Sequence, residues 1–142
     1  MASTYEVTAG KRTVTWVLTR LARLGVGSFV EVTVTGRKSG QPRTVTVNPI
    51  EDGNEQYLVS PYGEVSWVHN VRAQPRVTLR RGRQDSEVIL VEVTGEKPEV
   101  VKRYYERESF ARQFMDVPGE ASVADFANVG DRFPVFRVDE IG

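Results

Sequence analysis

The segment TGRKSGQPR, residues 35–43, is rich in residue types that bind anions. Its nine positions hold two glycines, two hydroxyl side chains and three cations. Glycine allows the backbone to turn and to present N–H groups, and anions bind in such concave turns. Arginine offers a forked set of donors to phosphate or carboxylate, and lysine offers a point charge. The composition indicates an anion-binding loop, with a charged hairpin tip as the alternative. It is not a Walker-type loop, because the Gly-Lys-Ser/Thr order is missing.

The segment SPYGEVSWVHN, residues 60–70, predicts a bend followed by a short helix. Pro61 and Gly63 mark the bend, and the helix is expected over Ser66–Ala73 because a proline follows two residues later. Helix N-termini carry a partial positive charge. We therefore expect Gly63 and the turn after it to present unpaired N–H groups to a carbonyl or anionic edge of a ligand.

Two side chains of this predicted helix are suited to a flat ligand. Trp67 and Asn70 lie three residues apart, so they share a helix face. An indole stacks against aromatic rings, and an amide pairs with a ring carbonyl or N–H. The alternative is a tryptophan in the core and an asparagine near the helix end. His69 lies off this face, which favours a surface or supporting position over a catalytic one.

Composition argues against several kinds of site. The chain has no cysteine, which excludes disulfides, thiolate nucleophiles, iron–sulfur clusters and cysteine-based zinc sites. A single histidine argues against a histidine-rich metal site or a Ser-His-Asp triad, so we predict no metal. The net charge of zero gives no general case for nucleic-acid binding.

The N-terminal third is more basic than the remainder of the chain. Residues 1–50 hold seven Lys or Arg against two Asp or Glu, and residues 51–142 hold twelve against seventeen. Residues 11–24 predict an amphipathic helix that packs against the domain, with contact to a membrane surface as the alternative. No apolar run is long enough for a membrane span, and the N-terminus lacks a secretory signal. We expect a cytoplasmic protein, with a peripheral position at the inner membrane face as the alternative.

Alternating apolar residues predict six strands with short connections. They are expected at Phe29–Gly36, Arg43–Glu51, Glu55–Ser60, Arg76–Arg81, Ser86–Gly95 and Phe133–Val138. Further helices are expected over Glu99–Met115 and behind a capping box formed by Ser122 and Asp125. Successive hairpins favour an antiparallel sheet, which must curl to protect its edges. We predict one domain over residues 1–142, mainly β with helices (α+β). Its six strands are expected to form a small closed or split β-barrel, flanked by late helices and by an N-terminal helix and extension at residues 1–25.

Three segments taken together resemble one family. They are TGRKSGQPRT, then DGNEQYLVSPYGEVSWVHNVRAQPRV, and then DRFPVFRV. They resemble the deazaflavin-dependent nitroreductase family of actinobacteria, and the resemblance covers residues 20–138. It implies a split barrel like that of FMN-binding proteins. It also implies coenzyme F420, a deazaflavin that carries a phospholactyl-polyglutamate tail.

The resemblance implies a role for each motif position. The basic loop would hold the anionic tail, residues 43–48 would run along the coenzyme, and residues 59–63 would meet the deazaflavin edge through backbone groups. The helix that follows would complete the pocket. The implied cofactor-binding residues are Arg37, Lys38, Ser39, Gly40, Arg43, Thr44, Val45, Thr46, Val47, Asn48, Val59, Ser60, Pro61, Tyr62, Gly63, Ser66, Trp67, Val68, His69 and Asn70.

The substrate side departs from the family pattern. The nitro-drug-activating member of the family has several tyrosines in the late segment, where this chain has Val123 and Phe126. A tyrosine proton donor from this segment is therefore missing, and the substrate preference of that member does not carry over. We expect Trp16, Val123 and Phe126 to line the substrate pocket.

The resemblance implies an F420H2-dependent reductase in which the cofactor supplies the hydride and no side chain acts as a covalent catalyst. Its acceptor would be a small hydrophobic molecule with an activated C=C bond, a quinone or a nitroaromatic group. The alternatives are an FMN-dependent split-barrel oxidoreductase, a non-catalytic F420 carrier or sequestering protein, and a menaquinone reductase anchored to the membrane by residues 11–24. The oligomeric state is left open, with a homodimer as one alternative.

Overall fold

The computed structural model describes residues 29–108, 112, 115–117, 121–129 and 132–141. This part of the chain forms seven strands and three helices. The strands are β1 (Val30–Thr35), β2 (Pro42–Val47), β3 (Ile50–Asp52), β4 (Glu55–Val59), β5 (Arg76–Arg81), β6 (Gln84–Glu92) and β7 (Val135–Glu140). The helices are α1 (Ser66–Ala73), α2 (Lys97–Arg107) and α3 (Val123–Asn128). The predicted helix at residues 11–24, which includes Trp16, lies outside the described residues.

The strand count differs from the prediction because one predicted strand is two. The expected strand over residues 43–51 divides into β2 and β3 at Asn48 and Pro49. Pro49 has no N–H group and cannot donate to a strand ladder, so it favours the end of one strand and the start of another. The predicted class, mainly β with helices, is confirmed, whereas the predicted number of six strands is wrong.

The sheet curls because its two edge strands are neighbours in the chain. Every pairing is antiparallel, and the strand order is β2-β1-β5-β6-β7-β4-β3. Only Asn48 and Pro49 separate the two edge strands β2 and β3. The three Cα-to-Cα steps from Val47, the last residue of β2, to Ile50, the first residue of β3, span at most about 11 Å. A flat sheet of seven strands cannot meet this limit, so the sheet bends into a half-barrel.

Alternation along the strands divides the apolar side chains between two cores. In β4, Leu58 belongs to one core and Tyr57 and Val59 belong to the other. In β7, Phe136 and Val135 divide in the same way. Successive strand residues point to opposite faces, so each core lies on one face of the curled sheet. The core that contains Leu58 is called the inner core, and the one that contains Val59 is called the outer core.

The helices cover different faces of the sheet. α1 packs into the inner core through Trp67, Val68 and Val71. α2 and α3 pack on the outer core, where Tyr104 and Phe126 are among their buried side chains. None of the helices in the described residues is long and apolar enough to cross a membrane.

The helix ends follow local signals in two of three cases. α1 has the predicted bounds, and the capping box is confirmed at α3. There Ser122 Oγ accepts a hydrogen bond from the Asp125 N–H at 3.2 Å, and Asp125 Oδ2 accepts one from the Ser122 N–H at 3.0 Å. α2 begins two residues before its predicted start and ends at Arg107. The predicted end at Met115 is wrong, since Met115 is buried but not helical.

Arg72 fastens α1 to the sheet and to the preceding loop. Its Nη1 lies 2.6 Å from a carboxylate oxygen of Glu64, and its Nη2 lies 2.8 Å from one of Glu92. The Arg72 side chain is 33% exposed, so solvent screens both ion pairs. They fix the orientation of the helix more than they add to stability.

Leu58→Ala should lower the free energy of unfolding by about 2–5 kcal/mol. Leu58 is fully buried in the inner core, and the shorter side chain would leave a cavity there. Urea unfolding followed by circular dichroism measures the change. The control is Ile141→Ala, because Ile141 is 43% exposed, and its effect should stay within about 0.5 kcal/mol. Equal effects of the two changes would contradict the core assignment.

Candidate functional site

The basic segment forms the hairpin tip between β1 and β2. The Gly36 N–H donates to the carbonyl oxygen of Gln41 at 2.8 Å, and the Gly40 N–H donates to that of Gly36 at 2.9 Å. Ser39 Oγ accepts from the Gln41 N–H at 3.1 Å. Gly40 has a φ of +72°, which glycine adopts without strain. These four residues, with Arg37 and Lys38 between them, are called the hairpin tip below.

Gly36 packs closely against polar groups of the tip. A methyl group on its Cα would lie 2.7 Å from Ser39 Oγ, 3.1 Å from the Gln41 carbonyl oxygen and 3.7 Å from Arg43 Nε. A hydroxyl and a guanidinium therefore converge where a larger residue would place its side chain. Both groups can donate hydrogen bonds to a phosphate or carboxylate oxygen at the surface of the tip.

Arg37 joins the hairpin tip to α1. Its backbone N–H donates to Oδ1 of Asn70 at 3.0 Å, and its Nη1 donates to the same oxygen at 2.8 Å. Nη1 also donates to the carbonyl oxygen of Ser66 at 3.4 Å. The two segments that the sequence marked as binding elements are thus in direct contact, although Arg37 and Asn70 are 33 positions apart.

The cations of this region keep their charge available. Arg37, Lys38 and Arg43 are exposed. None of the three forms an ion pair with a carboxylate within the part of the chain that the structure describes. Two uncompensated positive charges on the hairpin tip and a third, Arg43, on β2 attract an anionic ligand.

The turn at residues 60–63 is closed by its own hydrogen bonds. Ser60 is fully buried, and its Oγ donates to the carbonyl oxygen of Gly63 at 2.6 Å. The Ser60 N–H donates to the carbonyl oxygen of Pro134 at 2.9 Å. The Gly63 N–H donates to the carbonyl oxygen of Ser60 at 3.4 Å, and the Val65 N–H donates to that of Gly63 at 3.0 Å. The prediction of unpaired N–H groups at Gly63 and Val65 is wrong, because the turn itself uses them.

The side chains of α1 lie where the helical spacing predicts. Trp67 and Asn70 are both buried. Trp67 is 4% exposed, and its ring centroid lies 5.6 Å from that of Phe136 in the inner core. Little indole surface is left for a ligand, which favours the core alternative for Trp67. Val68 is fully buried and His69 is half-buried.

The predicted run along β2 points to both faces of the sheet. Val45 pairs with Val32, and both belong to the inner core. Thr44 pairs with Thr33 on the opposite face, where their hydroxyl oxygens are 2.9 Å apart. By alternation, Arg43, Val45 and Val47 share one face, and Thr44 and Thr46 share the other. The side chains of this run therefore cannot all contact one ligand.

Glu108, at the end of α2, is a polar residue that contacts a predicted site residue and was not itself predicted. Nδ2 of Asn48 donates to Oε1 of Glu108 at 2.5 Å. Tyr104 precedes Glu108 by one helical turn and is buried. Burial raises the pKa of the Tyr104 phenol, and the negative charge of Glu108 adds to this effect, as does that of Tyr62 once its phenol ionises at alkaline pH. The spacing of four between Tyr104 and Glu108 could have shown that they share a helix face. The contact of Glu108 with Asn48, 60 positions away, leaves no such local signal.

Of the residues predicted for the substrate pocket, the structure describes Val123 and Phe126, which lie on α3 and differ in exposure. Val123 is 41% exposed, whereas Phe126 is 3% exposed and packs edge-on against Tyr105 at 5.4 Å. Phe126 therefore belongs to the outer core and not to an open pocket. Trp16 lies outside the described residues. Among those residues, no group of His, Asp and Glu side chains could hold a metal ion.

The chain matches a reductase family in sequence. The family model described as F420H(2)-dependent quinone reductase matches residues 6–115, which is most of the chain. No curated protein shows a significant match.

Solved structures of related proteins share the architecture. The structure of F420-H2 dependent reductase FDR-A is 29% identical, and the match covers 79% of this chain and 94% of that one with a TM-score of 0.53. A structure described as a domain-swapped dimer is 25% identical, with coverages of 92% and 96% and a TM-score of 0.54. A pyridoxamine 5'-phosphate oxidase-related, FMN binding protein from Nostoc punctiforme is 13% identical, with coverages of 94% and 80% and a TM-score of 0.57. The last shares the fold alone, and the curled sheet resembles the split barrel of such proteins.

Gly36→Ala should destabilise the protein by about 1–3 kcal/mol. The added methyl group would collide with Ser39 Oγ and crowd the Gln41 carbonyl oxygen. Ser39→Ala removes one of these atoms, so the double change should cost less than the sum of the two single changes in urea unfolding. Gly40→Ala is the comparison, since its methyl group would meet nothing within 4 Å and adds only about 1–2 kcal/mol of backbone strain. Additive effects at positions 36 and 39 would contradict the clash.

Tyr104→Phe should reduce the loss of stability at alkaline pH. The pKa of Tyr104 is raised in the folded state above the 10.0 of a free phenol, so the folded state holds this proton more tightly. The resulting stability is complete below about pH 10 and is lost as the pH rises above it. Urea midpoints between about pH 8 and pH 11 measure the decline. Part of the decline should persist, because burial also raises the pKa of Tyr57. An unchanged pH profile would exclude Tyr104 as a source.

Proposed function

Because the chain belongs to the F420H(2)-dependent quinone reductase family, we propose that the hairpin tip and α1 together bind coenzyme F420 for reduction of a small hydrophobic acceptor. Members of this family are oxidoreductases, and coenzyme F420 is their cofactor. The placement of the coenzyme on this chain and the class of its acceptor are the parts that we propose.

One observation carries the placement, namely the contact of Arg37 with Asn70. F420 has an anionic tail and a flat ring, so its two ends need sites at a fixed separation. The hairpin tip supplies uncompensated cations, and the Ser39 hydroxyl and the Arg43 guanidinium lie close to each other beside Gly36. The Arg37 contact holds this tip against α1 and the turn before it. The residues present therefore fit the coenzyme.

The tail would be held by the exposed groups of the tip. Arg37 offers a forked donor set, Lys38 offers a point charge, and Ser39 offers a hydroxyl group. Arg43 would reach the same anion from β2, because its Nε lies close to Gly36 and to the Ser39 hydroxyl. Gly40 gives the tip its turn geometry and contributes no side chain.

The ring edge would lie at the turn formed by residues 60–63. Ser60 and Gly63 hold the shape of this turn through their mutual hydrogen bonds, which leaves Pro61 and Tyr62 as its outer residues. Val59 belongs to β4 and supports the turn from the sheet. In α1, Trp67 and Val68 would support the site from the inner core and not by stacking on the ring.

When bound, reduced F420 supplies two electrons as a hydride. The protein would contribute binding and orientation, because a near-attack distance of about 3–3.5 Å lowers the barrier without a covalent catalyst. Tyr62 is 40% exposed on the turn, and partial burial raises the pKa of its phenol. This phenol stays protonated at neutral pH and could donate a hydrogen bond to an acceptor oxygen that gains negative charge.

A quinone is the acceptor class that the family description favours. Enones and nitroaromatic compounds share its electron-poor character and form the natural comparison panel. Purified protein with F420H2 should oxidise the coenzyme when a soluble quinone is present. Tight binding of F420 without turnover of any member of the panel would favour a carrier or sequestering protein instead.

The solved relative described as a domain-swapped dimer supports a homodimer for this chain as well. The edge strand β2 pairs only with β1 in the described sheet, so its other side offers a surface for a second copy. Light scattering coupled to gel filtration tests this, and a monomeric mass at high protein concentration would exclude it.

Titration with F420 and FMN side by side tests the placement of the coenzyme. F420 should bind with quenching of its fluorescence and FMN should bind more weakly, because FMN has one phosphate and no glutamate tail for the three cations of the region. Tight binding of FMN without binding of F420 would refute the proposal.

Lys38→Ala should weaken F420 binding by about threefold to tenfold at low salt, which corresponds to about 1 kcal/mol. The lost charge attracts the tail from an exposed position, so the difference from the unmodified protein should shrink as salt is added. The fluorescence titration is repeated at several salt concentrations.

Arg83→Ala is the matched control for charge. Arg83 lies in the turn between β5 and β6, and β5 runs antiparallel to β1, so this turn is at the opposite end of the sheet from the hairpin tip. The control removes one positive charge and should leave the affinity unchanged. Equal losses for both variants would show that net charge, and not the hairpin tip, governs binding.

A further inference from the structure

The buried side-chain amide of Asn70 accepts two hydrogen bonds from Arg37 through a single oxygen atom. Asn70 is 5% exposed, and its Oδ1 accepts both the backbone N–H and the Nη1 donor of Arg37. A carbonyl oxygen has two lone pairs, so these bonds use its full capacity. The oxygen therefore fixes the backbone of the hairpin tip and the side chain of Arg37 at once. It is not available to pair with a ligand ring.

These hydrogen bonds determine which N–H donors of the Arg37 guanidinium remain available to a ligand. A guanidinium carries five N–H donors, of which Nη1 holds two. Those two point to Asn70 Oδ1 and to the Ser66 carbonyl oxygen. The Nε–Nη2 edge keeps the other three and has no partner among the described residues. An edge of this kind binds phosphate or carboxylate oxygens in a forked arrangement.

Arg72, on α1, differs from Arg37 in the charge of the groups that orient its guanidinium. Arg72 is held by the carboxylates of Glu64 and Glu92, which neutralise its charge. Arg37 is held by neutral oxygens alone, those of Asn70 and Ser66. A neutral acceptor orients a guanidinium without cancelling its attraction for an anion. A carboxylate at position 70 would orient it equally well and compete with the ligand.

We propose that Asn70 is a positioning residue that orients the Arg37 guanidinium toward an oxyanion of the coenzyme tail while leaving its charge uncompensated. The inference rests on the proposed binding of F420 at the hairpin tip. It moves Asn70 from the ring end of the site, where the sequence suggested contact with the coenzyme ring, to the support of the tail end. The contact of Arg37 with Asn70 would then join the part of the protein that holds the tail to the part that holds the ring.

A double-mutant cycle on F420 affinity tests the dependence on Arg37. Asn70→Ala and Arg37→Ala should each weaken binding about tenfold, as expected for loss of a hydrogen bond to a charged group. If Asn70 acts through Arg37, the double variant should also be about tenfold weaker than the unmodified protein and not about a hundredfold weaker. Multiplying losses would overturn the proposal.

Asn70→Asp separates orientation from charge. The carboxylate keeps the hydrogen bonds to Arg37 and strengthens them, so the melting temperature should hold or rise. Affinity for F420 should nevertheless fall about tenfold, with a weaker dependence on salt. Unchanged affinity would overturn the proposal. If this variant instead melts at a lower temperature, the double-mutant cycle alone decides.

Arg72→Ala is the control for a loosened helix. It removes both ion pairs that fasten α1 but touches neither Arg37 nor Asn70, so it should lower the melting temperature and keep the affinity within about twofold. An affinity loss equal to that of Asn70→Ala would show that general loosening of α1 explains both. Failure of the unmodified protein to bind F420 would instead refute the proposed function, which is a distinct result.

Discussion

Asn48 and Pro49 carry the chain from one edge of the seven-stranded sheet to the other, and this short connection determines the shape of the molecule. Because two residues cannot cross a flat sheet, the sheet must curl and enclose an inner core. α1 packs into that core through Trp67, which brings its Asn70 within reach of the hairpin tip. Asn48 is itself bound to Glu108 at the end of α2. The same connection therefore fixes the barrel, the helix behind the site and the position of α2.

Some parts of the site stabilise the fold, whereas its cluster of cations lowers the stability of the fold. The turn at residues 60–63 and the buried face of α1 satisfy their own hydrogen bonds and pack tightly, as structural elements do. The hairpin tip differs, because Arg37 and Lys38, with Arg43 beside them on β2, have no carboxylate partner among the described residues. Such repulsion lowers stability and is retained where an anionic ligand offsets it. This contrast distinguishes the structural part of the site from the part that we propose to bind the coenzyme tail.

Local signals in the sequence predicted the local structure well. The bounds of α1 follow from a proline after the helix, and the capping box of Ser122 and Asp125 depends on neighbouring residues only. The separation of β2 from β3 at Asn48 is not predicted by the sequence. The apolar alternation along β2 gives no sign that the next strand lies at the other edge of the sheet. The basic loop and the bend were found as separate segments. Their contact could not be predicted, since residues 37 and 70 meet only after the sheet has curled.

The place of β7 in the sheet has a consequence for the order of assembly. β7 is the last strand of the described chain, yet it lies between β6 and β4. During synthesis, these two strands emerge first and wait with one edge open each, while Trp67 lacks its aromatic neighbour Phe136. The sheet is complete only when β7 enters between β6 and β4, so its closure depends on pairing between segments that are far apart in the sequence.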